Sequence, residues 1–76
     1  MPGQLGEEES FLTYGKNLRR LRTAKKISMQ ALANLADIEL SQVHRIETGK
    51  INPKLSTILI LAKALNATPE EFFKDI

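Results

Sequence analysis

Apolar residues along this chain recur at steps of three and four, and this spacing predicts helices throughout. Phe11, Tyr14, Leu18 and Leu21 form one such stripe, predicting a first helix from Ser10, a plausible N-cap, to about Lys26. Gly15 is expected to weaken it locally without stopping it. Leu32, Ala33 and Ala36 form a second stripe, behind a cap at Ser28, over about 29–36. Val43 and Ile46 form a third over about 40–47, which ends before Gly49, the expected left-handed exit residue. A fourth helix over about 55–65 is expected to bury Leu55, Ile58, Leu61, Ala62 and Leu65. Thr68-Pro69-Glu70-Glu71 places a cap, a proline at the first helical position and a glutamate three residues after the cap, which opens a fifth helix running to about Asp75. No strand-like alternation is present. The expected fold class is therefore all-α, a compact five-helix domain.

The second and third helices are separated by almost nothing. Asp37, which tolerates a left-handed backbone, sits where the chain must turn, and Ala33 is small enough for a neighbouring helix to cross closely. The third helix buries Val43 and Ile46 and leaves Ser41, Gln42, His44 and Arg45 outward. Two short helices at a tight turn, the second with a polar exposed face, describe a helix-turn-helix able to enter the major groove of DNA.

Composition narrows the chemistry. The chain has 76 residues, no cysteine and one histidine. Disulfides and thiolate metal sites are excluded and a structural zinc site is not expected. The longest strongly apolar run, Ile58–Ala62, falls far short of a membrane span, and no secretory signal pattern opens the chain. A cytoplasmic location without membrane association is the expectation. There is no phosphate-cradling glycine-rich loop and no nucleophile with a base at a suitable spacing, so neither an enzyme nor a cofactor is implied. Residues 1–9 read as a flexible acidic tail, leaving 10–76 as the domain. Residues 11–76 hold all 11 lysines and arginines against 6 acids, a net +5. Lys16, Arg19, Arg20, Arg22, Lys25 and Lys26 cluster within eleven residues, a mild bias compatible with a polyanion or with an ordinary solvated helix face.

Taken in order, Leu18-Arg-Arg-Leu-Arg22, Ser28, Leu32-Ala33, Val43-His-Arg-Ile-Glu-Thr-Gly-Lys50, Asn52-Pro53, Leu55, Thr57 and Leu61-Ala-Lys-Ala-Leu65 resemble the lambda-repressor-like, Xre-type helix-turn-helix family over about residues 14–73. The resemblance implies a transcriptional regulator that binds double-stranded DNA. It implies that Leu40, Ser41, Gln42 and Arg45 face base edges, with Gln42 near the groove wall. It assigns Met29, Glu39, His44, Lys50, Asn52 and Lys54 to the DNA backbone. Arg22 and Glu47 correspond to a family pair tying the first helix to the end of the third. His44 is open to the alternative of an ordinary exposed histidine.

Three positions depart from the family pattern. Met29 replaces the usual glutamine, leaving a backbone N–H to meet phosphate. Glu39 replaces the usual serine or threonine and brings an acid toward phosphates. Leu40 replaces a polar base reader, and either packs on a thymine methyl or meets a protein. Ile60, with Leu59, Phe73 and Ile76, makes an apolar exterior that predicts a homodimer through the fourth and fifth helices, matched to a palindromic operator. The competing expectation is a protein-interaction module, antitoxin-like or adaptor, that keeps the fold with weak DNA binding and a protein partner.

Overall fold

The structure, a computed structural model, describes residues 7–74. Helix α1 spans Glu7–Ala24, α2 Met29–Ala36, α3 Leu40–Glu47, α4 Leu55–Ala64 and α5 Pro69–Phe72, with no strand among the described residues. The expected tail is thus shortened. Residues 1–6 lie outside the described residues, whereas Glu7–Glu9 form the first turn of α1 and Ser10 stands inside the helix rather than at its cap. A run of glutamates has good helix propensity, and negative charge is favoured at a helix N-terminus, so the helix starts upstream of the first apolar residue.

The core gathers Tyr14, Leu18 and Leu21 from α1, Leu32, Ala33 and Ala36 from α2, Val43 and Ile46 from α3, Ile58, Leu61 and Ala62 from α4, and Leu65 and Phe72. Each predicted stripe contributes to it, but Phe11 of the first stripe is only half-buried and outside the core, and one position of the fourth is a correction. Leu55 was expected inward and is 65% exposed. It is the first residue of α4, ahead of Ile58, the first buried position. Two ends also differ from the pattern. Helix α1 stops at Ala24 because Lys26 takes a left-handed φ of 58° and Ile27 N–H returns to the Arg22 carbonyl at 3.2 Å. Helix α5 is a single turn that stops at Phe72, and the Thr68 N–H donates to Glu71 Oε1 at 3.0 Å as the capping sequence predicts.

Helix α1 reaches α3 at close range because residue 15 is glycine. A Cβ there would overlap the Ile46 carbonyl oxygen and stand 2.7 Å from that of Glu47. Beyond this crossing, the Arg22 guanidinium meets the Glu47 carboxylate, Nε to Oε2 at 2.6 Å and Nη2 to Oε1 at 3.0 Å, with both side chains almost fully buried. Asn17, also buried, donates from Nδ2 to the carbonyls of Phe72 and Lys74 at 2.9 and 2.8 Å, which ties the end of α5 to α1. The result is a fixed platform behind α3.

Candidate nucleic-acid interface

Local sequence sets the angle between α2 and α3. Ser28 caps α2, its Oγ accepting the Ala31 N–H at 3.0 Å. At the other end Asp37 takes a left-handed backbone, φ 56° and ψ 46°, and Ile38 N–H bonds to the Ala33 carbonyl at 3.0 Å. This satisfies a terminal carbonyl and redirects the chain in three residues. Asp37 is thus the turn residue expected. Glu39 follows in extended conformation, and α3 begins at Leu40.

Val43 and Ile46 anchor α3 in the core, and the helix turns Leu40, Ser41, His44 and Arg45 outward, all exposed. Gln42 is half-buried. The helix ends in a six-residue loop closure. Gly49 adopts φ 73°, its N–H bonds to the Ile46 carbonyl at 3.1 Å, and the Lys50 N–H bonds to that of Arg45 at 2.9 Å. Lys50, directly after this turn, and Asn52 and Lys54 further along the exit loop are all exposed. Asn52 and Pro53 also line a cleft with Phe11, Tyr14, Ile58 and Phe73, so the loop runs from the end of α3 toward the start of α1 and α5.

A third group flanks α3 on the α1 side. Met29 packs partly against the core at the start of α2 and lines a shallow cleft with Arg19, His44 and Thr48, over the Arg22–Glu47 pair. The sequence leaves Arg19 open between a polyanion contact and a solvated helix face, and does not single it out from its basic neighbours. Its signal was its position one turn before Arg22 on the same helix. The cleft brings the Arg19 guanidinium, the His44 imidazole and the Thr48 hydroxyl to one surface. The Thr48 hydroxyl itself donates to the His44 carbonyl at 2.9 Å.

Arg45, Lys50 and Arg19 are exposed cations on or flanking α3, and Asp37 and Glu39 are exposed carboxylates at its front edge. Glu47, at the far end of α3, is neutralised by Arg22, whose guanidinium is held charged above its ordinary range by the Glu47 hydrogen bonds. Among the described residues no cluster of three or more His, Asp or Glu side chains is arranged to hold a metal ion. Among the described residues no helix is long and apolar enough to cross a membrane.

The apolar exterior is on another face. Leu59 and Ile60 on α4 are 49% and 44% exposed, and Phe73 after α5 is 42% exposed. Ile76, expected with them, lies outside the described residues.

Known proteins share this fold. The family model described as a helix-turn-helix domain matches residues 13–72. The control protein C.SmaI of Serratia marcescens is 34% identical over 53 residues, 70% of this chain and 63% of that one. The transcriptional repressor RghR of Bacillus subtilis is 39% identical over 54 residues, 70% of this chain and 40% of its own length. The chain thus spans less than two thirds of either curated relative. The crystal structure of the restriction-modification controller C.AhdI from Aeromonas hydrophila superposes with a TM-score of 0.83 at 42% identity, covering 86% of this chain and 98% of that one.

Proposed function

Since the chain belongs to the helix-turn-helix domain family, and is a non-enzymatic DNA-binding regulator of the lambda-repressor-like, Xre type, we propose that it is a cytoplasmic repressor acting as a homodimer on a palindromic operator. The observation that carries this reading is the exposed face of α3, with Leu40, Ser41 and Arg45 outward and Lys50, Asn52 and Lys54 exposed along the exit loop. An arginine on such a face pairs bidentately with guanine O6 and N7, the commonest specific contact in the major groove. The lysines and Asn52, with Arg19 and His44 across the cleft, meet phosphates and fix the helix's register without reading sequence.

Leu59, Ile60 and Phe73 support the dimer. Exposed large apolar side chains on a domain this small are candidates for cover by a second copy. A two-fold pair presents two α3 helices to half-sites about one DNA turn apart. Bound in this way the dimer occludes promoter DNA. The controller proteins among its relatives favour a similar role here, in which the amount of regulator sets the output.

The test is selection from a random duplex library, followed by titration of the selected duplexes against salt. A two-fold motif whose affinity falls steeply with salt supports the proposal. Absence of any enriched sequence contradicts it and redirects attention to a protein partner.

A further inference from the structure

Two adjacent side chains at the front of α3 are not used by the fold. Glu39 holds the N-cap position, where a side-chain oxygen ordinarily accepts a helix N–H, yet its carboxylate makes no such bond and is exposed. Leu40 is 41% exposed, although Val43 and Ile46 behind it are fully buried. This inference rests on the DNA-reading role of α3. In that role both side chains arrive first in the groove.

Each has few possible partners there. A carboxylate is repelled by phosphates and finds no donor on them. Among major-groove base edges the donors are the exocyclic amines of cytosine and adenine, and an acidic side chain pairs with cytosine N4. A leucine side chain offers no hydrogen bond, and the apolar group in the groove is the thymine C5 methyl. Glu39 and Leu40 are consecutive and both exposed, and their Cα atoms, about 3.8 Å apart, are separated by little more than one ~3.4 Å base step along a strand.

We infer that Glu39 and Leu40 form a specificity-determining pair that reads a two-base step, with cytosine N4 donating to Glu39 and an adjacent thymine methyl packing on Leu40. Glu39 is then a base reader, where the family resemblance alone would turn it toward the backbone. Its carboxylate disfavours guanine and thymine, whose major-groove edges carry no hydrogen-bond donor.

The test uses the full chain and a duplex it selects. Each thymine is replaced singly by deoxyuridine, which removes the C5 methyl and nothing else. One thymine per half-site should then weaken the unmodified protein about fourfold, the equivalent of ~0.8 kcal/mol for a buried methyl group. The same replacement should not change binding by Leu40→Ala. Repeating the selection with Glu39→Gln should shift the neighbouring preference from cytosine to adenine, the partner of a carboxamide. Unchanged melting temperatures for both variants establish that these exposed substitutions leave the fold intact. Uracil neutral at every thymine, equal losses in Leu40→Ala, or an unchanged motif for Glu39→Gln overturns the pair. A motif that depends on Arg45 but is blind to uracil overturns this inference alone. Failure to select any motif overturns the DNA-reading role with it.

Discussion

The Arg22 guanidinium holds the Glu47 carboxylate through two hydrogen bonds, at 2.6 and 3.0 Å, and donates a third from Nη1 to the Ile27 carbonyl at 2.8 Å. One side chain thus joins α1, the α1–α2 connection and the last residue of α3. Both partners are nearly buried, so removing either leaves a desolvated charge. Glu47→Ala is expected to destabilise the protein by about 3 kcal/mol in urea unfolding. It should weaken DNA binding only as far as α3 loses its position. A loss under about 0.5 kcal/mol, the range of exposed pairs, would show that the pair is solvated.

Gly15 makes the second attachment of α1 to α3. Alanine has the better helix propensity, by roughly 1 kcal/mol, and would stabilise an isolated helix. Here its Cβ would meet the backbone carbonyls of Ile46 and Glu47, which cannot rotate away. Gly15→Ala should therefore destabilise by about 1–3 kcal/mol, the usual cost of overpacking. Thermal melting decides the sign, and a raised melting temperature would contradict the close crossing.

These two contacts also mark the boundary of what was legible in the sequence. The stripes at Leu32/Ala33/Ala36 and Val43/Ile46, the cap at Ser28, the turn at Asp37 and the exit at Gly49 are local signals, and α2 and α3 fall on the predicted bounds. The Arg22–Glu47 pair was legible only through family resemblance, because its partners are 25 residues apart. Gly15 read as a weak point in a helix when it is a point of backbone contact. Asn17, holding the α5 end from 55 residues away, carried no local mark. Leu55 misled because helical spacing specifies a face but not where along the helix the covering neighbours begin.

The buried Tyr14 offers a test of polar satisfaction. Its ring packs against Phe72 and Phe73, with centroids 5.6 and 6.2 Å away, while its hydroxyl has no hydrogen-bond partner among the described residues. Burial pushes its pKa well above the ordinary tyrosine range. Tyr14→Phe removes an unsatisfied group without changing shape, so stability should be unchanged or increased. A loss of more than about 1 kcal/mol, the usual worth of a satisfied hydrogen bond, would show that the hydroxyl has a partner.

The acid behaviour of α5 follows from its cap. The Thr68 N–H holds the Glu71 carboxyl below its ordinary pKa, with Lys25 and Arg20 assisting. A carboxyl with a depressed folded-state pKa stabilises the protein above its unfolded value and loses that contribution as pH falls through the folded value. Glu71→Gln should therefore melt below the parent at neutral pH, and the difference should close as pH falls below the ordinary glutamate range, about 4.3. A gap that persists in acid would assign the effect to packing.

For the proposed dimer, Ile60→Lys is the direct probe. A lysine at this exposed position leaves the core untouched and places like charges across a two-fold contact. Sedimentation should show the parent as a dimer and the variant shifted to monomer. A monomer mass for both would remove the dimer from the account.

The central claim is that the exposed face of α3 reads DNA, and Arg45→Ala tests it most directly. Arg45 is exposed, outside the Arg22–Glu47 clasp and the core, so the fold should keep its melting temperature. Titration of a selected operator duplex should show at least a tenfold loss of affinity, within the ~1–3 kcal/mol of a bidentate arginine–guanine contact, with relaxed preference at one base pair per half-site. Equal affinity and equal sequence preference in the two proteins would contradict the claim.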